Sequence, residues 1–195
     1  MSLPPPLAAL SPFLEQLNAL LARQPVRLAI EGGSASGKTT LAAWLQQTYD
    51  AAVFHMDDFF LQPEQRTAAR LNEPGGNVDR ERFTEEVLRP LCEGRSVVYR
   101  RFDCKTQTLS PPITVEPRAL TIVEGAYSMH PALADAYDLS LFLDVDPARQ
   151  RQRIQNRNTK AEAQRFFERW IPLENRYFDA CNVRARCTCV LTVNE

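Results

Sequence analysis

The sequence predicts an α/β protein built on a doubly wound, mostly parallel sheet. Short apolar runs alternate along the chain with helix-prone stretches, and the runs at residues 119–123 and 139–143 are almost wholly apolar. Strands that are apolar on both faces are typical of parallel sheets, which helices cover on each side. Ligands of such sheets bind at the carboxyl ends of the strands.

The first half of the chain contains the clearest elements. Apolar residues at helical spacing predict an N-terminal helix over residues 7–23, within an N-terminal segment 1–24. A strand over residues 26–30, a glycine-rich loop and a helix from Thr40 follow. A short strand is predicted over residues 52–56, and a helix over residues 80–92. The polar connection 62–77 between them, which contains Pro and Gly, is long enough to indicate a functional loop.

The second half continues the alternation. We expect a strand over residues 96–99 after the turn at Gly94, and buried strands over 119–123 and 139–143. Pro147 begins a basic helix that runs to Arg157, as proline commonly does at a first helical position. A helical segment over 161–181, interrupted at Pro172, and a strand over 189–193 complete the chain. Its length and the lack of repeats or linkers predict one domain over residues 1–195.

Composition narrows the classes of partner. The formal net charge is −1, which does not favour nucleic acid or an anionic membrane as a partner. No apolar stretch approaches the ~20 residues of a membrane span, and the N-terminus lacks the features of a secretory signal. Five cysteines without C-x-x-C spacing indicate free thiols in a reducing compartment. We therefore expect a cytoplasmic protein that acts on a small molecule, and the sequence leaves the oligomeric state open.

The loop from Gly32 to Thr39 matches the pattern G-x-x-x-x-G-K-[ST] between a predicted strand and a predicted helix. Its backbone N–H groups and the helix N-terminus can surround the phosphates of a nucleotide. Lys38 can bridge the outermost phosphates, and the Thr39 hydroxyl can bind Mg²⁺. The predicted nucleotide-binding residues are Gly32, Gly33, Ser34, Ala35, Ser36, Gly37, Lys38, Thr39 and Thr40.

Carboxylates follow two predicted strands at their ends. Asp57 and Asp58 follow the strand over 52–56, and Glu124 follows the strand over 119–123. These ends should lie beside the phosphate loop, where phosphoryl transfer needs charge neutralisation, positioning and a base for the acceptor hydroxyl. Asp57 or Asp58 is the candidate base, and Glu124 would hold a metal-bound water or the acceptor. Helix capping is the alternative for the aspartates, and a strand end without a ligand is the alternative for Glu124.

In this order, the motifs resemble those of the uridine kinase and phosphoribulokinase superfamily from about residue 26 to residue 157. The similar segments are the phosphate loop at 31–40, an Asp with an aromatic pair at 55–60, the acceptor segment at 77–83, a Glu-Gly strand end at 122–125 and the lid entry at 144–157. Residues 55–60 also look like the corresponding segment of nicotinamide riboside kinases.

The resemblance implies a P-loop NTPase fold of the nucleoside and nucleotide kinase type, with a helical lid near residues 147–160. It implies that ATP and Mg²⁺ are used to phosphorylate a primary hydroxyl of a small molecule, with a nucleoside as the leading acceptor. By position, Asp57 takes the base and metal-proximal role and Asp79 grips ribose hydroxyls. Arg153 and Arg157 neutralise the transferring phosphoryl group, although a solvated or ion-paired helix face is the alternative for these arginines.

The chain departs from uridine kinases where they carry a Tyr-Asp segment followed by a His that contacts the pyrimidine. Phe102 and Asp103 occupy that region here, and Gln107 stands where the His would fall. We expect Phe102 and Gln107 to contact the acceptor, without uridine specificity. The predicted catalytic residues are Lys38, Asp57, Glu124, Arg153 and Arg157. The predicted metal ligands are Thr39, Asp57 and Glu124. The predicted substrate-binding residues are Asp57, Asp79, Phe102, Gln107 and Glu124.

Two other functional classes share the phosphate loop. A nucleotide-gated regulatory NTPase specific for guanine would normally carry Asn-Lys-x-Asp, which this sequence lacks. A catalytically silent ATP-binding protein would not need the complete set of Lys38, Thr39, Asp57 and Glu124. Among kinases, the second candidate acceptor is a non-nucleoside alcohol such as pantothenate or a sugar phosphate.

Overall fold

The computed structural model describes residues 7–193. Its strands are β1 (Val26–Gly32), β2 (Ala52–His55), β3 (Val97–Tyr99), β4 (Phe102–Asp103), β5 (Thr108–Leu109), β6 (Ile113–Val115), β7 (Leu120–Glu124), β8 (Leu139–Val145) and β9 (Cys189–Val193). A central parallel sheet has the order β2-β7-β1-β8-β9. Its central strand, β1, pairs with β7 on one side and β8 on the other. The predicted α/β fold with a mostly parallel sheet is confirmed.

The helices cover both faces of this sheet. They are α1 (Leu7–Leu21), α2 (Lys38–Tyr49), α3 (Ala68–Leu71), α4 (Arg80–Phe83), α5 (Arg89–Cys92), α6 (Pro147–Arg157), α7 (Lys160–Arg165), α8 (Ile171–Ala180) and α9 (Val183–Arg186). On one face, Leu28 and Ile30 of β1 pack in a core with residues of α1 and α2. On the other, Ala29 packs with Phe83, Tyr177 and their neighbours. Alternate residues of β1 therefore serve two cores, which explains the apolar run over residues 28–30 at its centre.

Two long helices contain π turns directly before a proline. Residues Thr84–Leu88 join α4 to α5 ahead of Pro90, and residues Phe166–Trp170 join α7 to α8 ahead of Pro172. Proline has no N–H to donate to the preceding turn and its ring crowds that turn, so the hydrogen-bonding pattern widens there. The interruption predicted at Pro172 therefore begins at Phe166, and the helix continues through it.

The segment between α5 and β7 lies outside the central sheet. β3, expected from residues 96–99, pairs antiparallel with β6, and β4 pairs with β5 in a short hairpin. β4, β5 and β6 were not predicted because strands of two or three residues give little periodic signal. The strand predicted over 52–56 ends at His55, and a 3₁₀ turn at Met56–Phe59 carries the two aspartates.

Gly32 and Gly94 both have positive φ, but only Gly32 is crowded by a neighbouring strand. Substitutions at the two positions therefore separate the effect of steric crowding from that of backbone strain. A Cβ on Gly32 (φ 144°) would lie 2.5 Å from the Leu143 carbonyl oxygen of β8, whereas a Cβ on Gly94 (φ 66°) would meet no atom within 4 Å. We predict that Gly32→Ala lowers the free energy of unfolding by more than about 3 kcal/mol, and Gly94→Ala by about 1–2 kcal/mol. Urea denaturation measures both, and equal losses would show that crowding at Gly32 has no effect.

Candidate active site

The phosphate loop joins β1 to α2 through residues with left-handed backbone angles. Gly32 (φ 144°), Ala35 (φ 60°) and Gly37 (φ 105°) all have positive φ. Such residues curl the chain so that successive N–H groups can converge on an anion. No side chain caps α2 at Gly37, so the N–H groups of its first turn remain available to a ligand. The local backbone therefore has the form of an anion cradle.

The Lys38 ammonium lies over this loop. Its Nζ donates to the carbonyl oxygens of Gly32 at 2.8 Å and Gly33 at 2.9 Å, and the residue is only 8% exposed. Ser36 Oγ is buried in the same loop without a hydrogen-bond partner among the described residues. A charged donor and an unsatisfied hydroxyl thus accompany the backbone amides.

Two helices that are distant in sequence form hydrogen bonds with the outer side of the loop. Glu174 of α8 accepts from the Ser34 N–H at 2.9 Å and from Ser34 Oγ at 2.5 Å. From α6, Gln150 donates to Ser34 O at 2.8 Å, and Arg153 donates to Ala35 O at 3.1 Å. Burial raises the pKa of Glu174 above its ordinary value. No sequence pattern singles out Glu174, because a lone acid inside a helix has no distinctive neighbours.

Thr39 and Glu124, both predicted metal ligands, meet at the carboxyl ends of the strands. Thr39 Oγ1 donates to Glu124 Oε1 at 3.0 Å. His55 Nδ1 lies 2.6 Å from the same carboxylate oxygen, and this hydrogen bond is the main cause that raises the pKa of His55. His55 was not among the predicted site residues. Its position at the end of β2, beside β7 in the sheet, was the only available signal.

The two adjacent aspartates have different surroundings. Asp58 accepts from Tyr99 Oη at 3.3 Å and pairs with Arg101 Nε at 3.2 Å. The Asp57 carboxylate has no such partner among the described residues. Its side chain is exposed, yet the protein around it is the main cause that raises its pKa, against the lowering effect of the Lys38 charge. Asp57 therefore presents an accessible carboxylate to a ligand, and the surrounding protein favours its protonated form.

Glu31, directly before the loop, forms a buried hub that sequence reasoning missed. Its Oε1 accepts from the Gly32 N–H at 2.8 Å, and its Oε2 accepts from the Met129 N–H and Tyr177 Oη, each at 3.0 Å. Complete burial is the largest effect and raises the pKa of Glu31 to about 7. These bonds tie the start of the phosphate loop to the segment after β7 and to α8.

The predicted acceptor residues occupy varied positions. Asp79 is 2% exposed and caps α4 through the Arg82 N–H at 3.1 Å, while Gln65 Nε2 donates to it at 3.0 Å. Both carboxylate oxygens of Asp79 are therefore engaged within the protein. Phe102 is buried beneath Arg66, whose guanidinium carbon lies 5.5 Å from the ring centroid. Gln107 donates to Cys104 O at 2.5 Å.

The two predicted lid arginines differ in what they contact. Arg153 reaches the phosphate loop, whereas Arg157 is exposed and its guanidinium carbon lies 5.5 Å from the Phe166 ring centroid. The guanidinium carbon of Arg151 lies 4.1 Å from the Phe167 ring centroid. Arg151 points away from the helix face that Arg153 and Arg157 share, and Arg157 lies one turn further along α6, beside Phe166. Among the described residues, Arg153 alone of the three contacts the loop.

The arrangement fits a nucleoside triphosphate with Mg²⁺. The cradle, the unpartnered Ser36 hydroxyl and Lys38 suit phosphate oxygens, while Thr39, Glu124 and Asp57 offer hard oxygen donors. Within residues 7–193, no three or more His, Cys, Asp or Glu are grouped so that they could hold a metal ion by themselves. Mg²⁺ at such sites binds one or two carboxylates, waters and substrate phosphates, so this donor set is sufficient.

Comparison with known proteins identifies the family. The sequence profile of the Phosphoribulokinase / Uridine kinase family matches residues 28–161, well over half of the chain. The chain belongs to this family. The family includes P-loop kinases, so the chain has the fold and the nucleotide-binding loop of a phosphotransferase.

Individual relatives agree with this assignment. The chain is 30% identical over 132 residues to uridine kinase-like protein 3 of Arabidopsis thaliana and 31% identical over 132 residues to a uridine kinase of Chloroflexus aurantiacus. Each match spans 63% of this chain, but only 28% of the first relative and 62% of the second. A possible uridine kinase from Bacillus stearothermophilus superposes with a TM-score of 0.71 at 23% identity, over 94% of this chain and 97% of its own.

A helix must be long and apolar to cross a membrane. Between residues 7 and 193, no helix combines the length and the apolar character that crossing a bilayer requires. All five cysteines are free thiols, as the sequence predicts.

Glu31 should make stability depend on pH. Its pKa in the folded protein, about 7, exceeds the ordinary value of 4.5, so the folded state binds more protons than the unfolded chain between these values. The free energy of unfolding should therefore fall as pH rises through this window, by about 2–4 kcal/mol from this group, and level off above it.

We predict that Glu31→Gln removes this slope, as measured by urea denaturation at half-unit steps from pH 4.5 to 8. Glu64→Gln, which changes an exposed carboxylate outside the site, should keep the slope of the native protein. A parallel pH dependence for Glu31→Gln and the native protein would contradict the assignment.

Proposed function

We propose that this protein is an ATP- and Mg²⁺-dependent kinase that transfers the γ-phosphate of ATP to a primary hydroxyl of a small molecule. The observation that carries the proposal is the convergence of three features at one edge of the sheet. These are the Lys38-covered phosphate loop, the Thr39–Glu124 pair at 3.0 Å and the unengaged carboxylate of Asp57. Family membership supports the same reaction class.

In this reaction, Asp57 accepts the proton of the acceptor hydroxyl as its oxygen attacks the γ-phosphorus. A new P–O bond forms, the bond from the γ-phosphorus to the β–γ bridging oxygen breaks, and ADP leaves. The raised pKa of Asp57 favours proton uptake, because a base with a higher pKa binds the proton more firmly. Asp58 is less suited, since Tyr99 and Arg101 already occupy its carboxylate.

The remaining residues bind and neutralise charge. When bound, Mg²⁺ supplies positive charge to the phosphate oxygens, and Thr39, Glu124 and Asp57 are the residues that would hold it, directly or through water. Lys38 must turn from the Gly32 and Gly33 carbonyls towards the phosphates. Arg153, at the rim of the loop, is placed to stabilise charge on the transferring group.

A nucleoside remains the acceptor that the named relatives suggest, since one is called a uridine kinase and the other a uridine kinase-like protein. Gln107 in place of the pyrimidine-contacting His speaks against uridine itself. We place the reaction in the cytoplasm, in keeping with the free cysteines. A regulatory NTPase would hydrolyse ATP without an acceptor, so acceptor-dependent ADP release separates it from a kinase.

We predict that Asp57→Asn lowers acceptor-dependent turnover by roughly 10²–10⁴-fold while Mg·ATP affinity stays within a few-fold, because the base is lost but the cradle remains. Asp58→Asn is the matched control and should retain most activity. Lys38→Ala serves as the inactive reference. The measurements are ADP release in a coupled assay and calorimetric titration with Mg·ATP.

Comparison of Asp57→Asn with Asp58→Asn shows which aspartate acts as the general base. Full turnover by Asp57→Asn, with collapse in Asp58→Asn, would assign the role to Asp58. Undiminished transfer in Lys38→Ala would refute the proposed reaction altogether.

The lid arginines generate a second prediction on activity. Arg153→Ala should lower kcat by on the order of 10²-fold or more, because the guanidinium next to Ala35 and Ser36 would stabilise the transition state. Arg151→Ala, on the same helix but packed on Phe167, should alter kcat less than threefold. Steady-state kinetics at saturating ATP measures both, and equal effects would assign Arg153 a purely structural role.

A further inference from the structure

A cavity of about 680 Å³ lies between the connection over residues 60–77, the β4–β5 hairpin and the π turn that joins α7 to α8. Phe60 and Trp170 line it, with ring centroids 6.3 Å apart. Asn77 and Gln107, from segments predicted to meet the acceptor, line it too. The cavity thus has an aromatic wall and lies on the acceptor side of the molecule.

The cavity lies near the candidate base Asp57, although Asp57 is not itself a lining residue. Phe60 follows Asp57 by three residues, in the segment that leaves the 3₁₀ turn. Cys104, another lining residue, lies near enough to Asp57 and Arg66 for both charges to act on its thiol, whose pKa is raised mainly by burial. A molecule bound in the cavity can therefore present a hydroxyl towards Asp57.

Three arginines from different segments converge on this cavity, and we call it the arginine pocket: Arg66, Arg169 and Arg176. Arg66 is held by two hydrogen bonds to Leu61 O, at 3.0 and 2.8 Å. Arg176 donates to Asn72 O at 2.7 Å, and Arg169 lies 4.8 Å from the Trp170 ring centroid. All three residues are exposed, and none of these contacts places a carboxylate beside a guanidinium group.

Among the described residues, the arginines that surround the pocket form ion pairs, unlike the three that line it. Four nearby arginines each pair with a carboxylate: Arg70 with Glu81, Arg80 with Glu73, Arg82 with Glu86, and Arg101 with Asp58. None of the three pocket arginines has an ion pair within the described part of the chain. Glu168 is the one carboxylate among the pocket-lining residues, and it accepts a hydrogen bond from Gln164. The pocket therefore carries a net positive charge.

We propose that the arginine pocket binds the phosphate acceptor through an anionic group, a carboxylate or a phosphate, in addition to the hydroxyl that is phosphorylated. The proposal rests on the proposed kinase function. Guanidinium groups keep their charge at any physiological pH and match the paired oxygens of carboxylates and phosphates. An acceptor with such a group and a flat or apolar body fits the pocket better than a neutral nucleoside.

The first test compares matched acceptors that differ in one anionic group. The pairs are uridine with orotidine, panthenol with pantothenate, and fructose with fructose 6-phosphate. We expect kcat/KM for the anionic member of at least one pair to exceed that of its neutral partner by 10²-fold or more. The first two pairs report on a carboxylate and the third on a phosphate. Equal or better use of every neutral partner would overturn the proposal.

The second test measures binding without turnover. Trp44→Phe leaves Trp170 as the single tryptophan, and its fluorescence reports directly on the pocket. Titration with the same pairs, in the presence of Mg·ADP, should show binding at least tenfold tighter for an anionic member. A Trp170 signal without ADP release from Mg·ATP would support the anion site and refute the kinase function. No preference for any anionic member in either test would refute the anion site.

Arginine variants assign the effect to the pocket. Arg169→Ala and Arg176→Ala should each weaken binding of the preferred anionic compound by roughly 10–100-fold, the usual loss for a charge-assisted hydrogen bond. Binding of its neutral partner should not change. Arg165→Ala, which changes an exposed arginine of α7 outside the pocket lining, is the control. Equal losses for both members of a pair would indicate a structural effect and contradict the proposal.

Discussion

The shape of the phosphate loop is the constraint on which the rest of this structure depends. Positive φ angles at Gly32, Ala35 and Gly37 turn the backbone into a cradle, and the close approach of Gly32 to β8 leaves no space for a side chain. The loop does not hold this shape alone. Glu31 fixes its start from within the core, and α6 and α8 contact its outer side through Gln150, Arg153 and Glu174.

This support places several carboxylates close to a site for anions. Burial raises the pKa of Glu31, Glu174 and Asp57, and the charge of Lys38 opposes that effect at each of them. A triphosphate brings further negative charge to the same place. The proposed roles of Mg²⁺, Lys38 and Arg153 follow from this balance, because charge neutralisation is the main demand of phosphoryl transfer.

The proposed acceptor pocket has the opposite electrostatic character. The arginines near α4 are paired with carboxylates, whereas those of the arginine pocket are held by carbonyl oxygens and aromatic rings. The proposed reaction thus joins a site crowded with acids to a pocket with excess positive charge. An anionic acceptor would be attracted to the pocket and oriented by it, with its hydroxyl towards Asp57.

The sequence by itself determined the fold class and the family, because these depend on local patterns: buried apolar strands, the loop motif and carboxylates at strand ends. It also identified Thr39 and Glu124, which the sheet brings together from 85 positions apart. The roles assigned to these residues remain predictions. Only the tertiary structure showed that Asp58 has Tyr99 and Arg101 as partners and that Arg153, rather than Arg157, contacts the loop. It alone revealed the positions of Glu31, His55 and Glu174. Those distinctions depend on packing between distant segments, as in the contact of Ser34 with a helix 140 residues away, and local periodicity carries no record of such contacts.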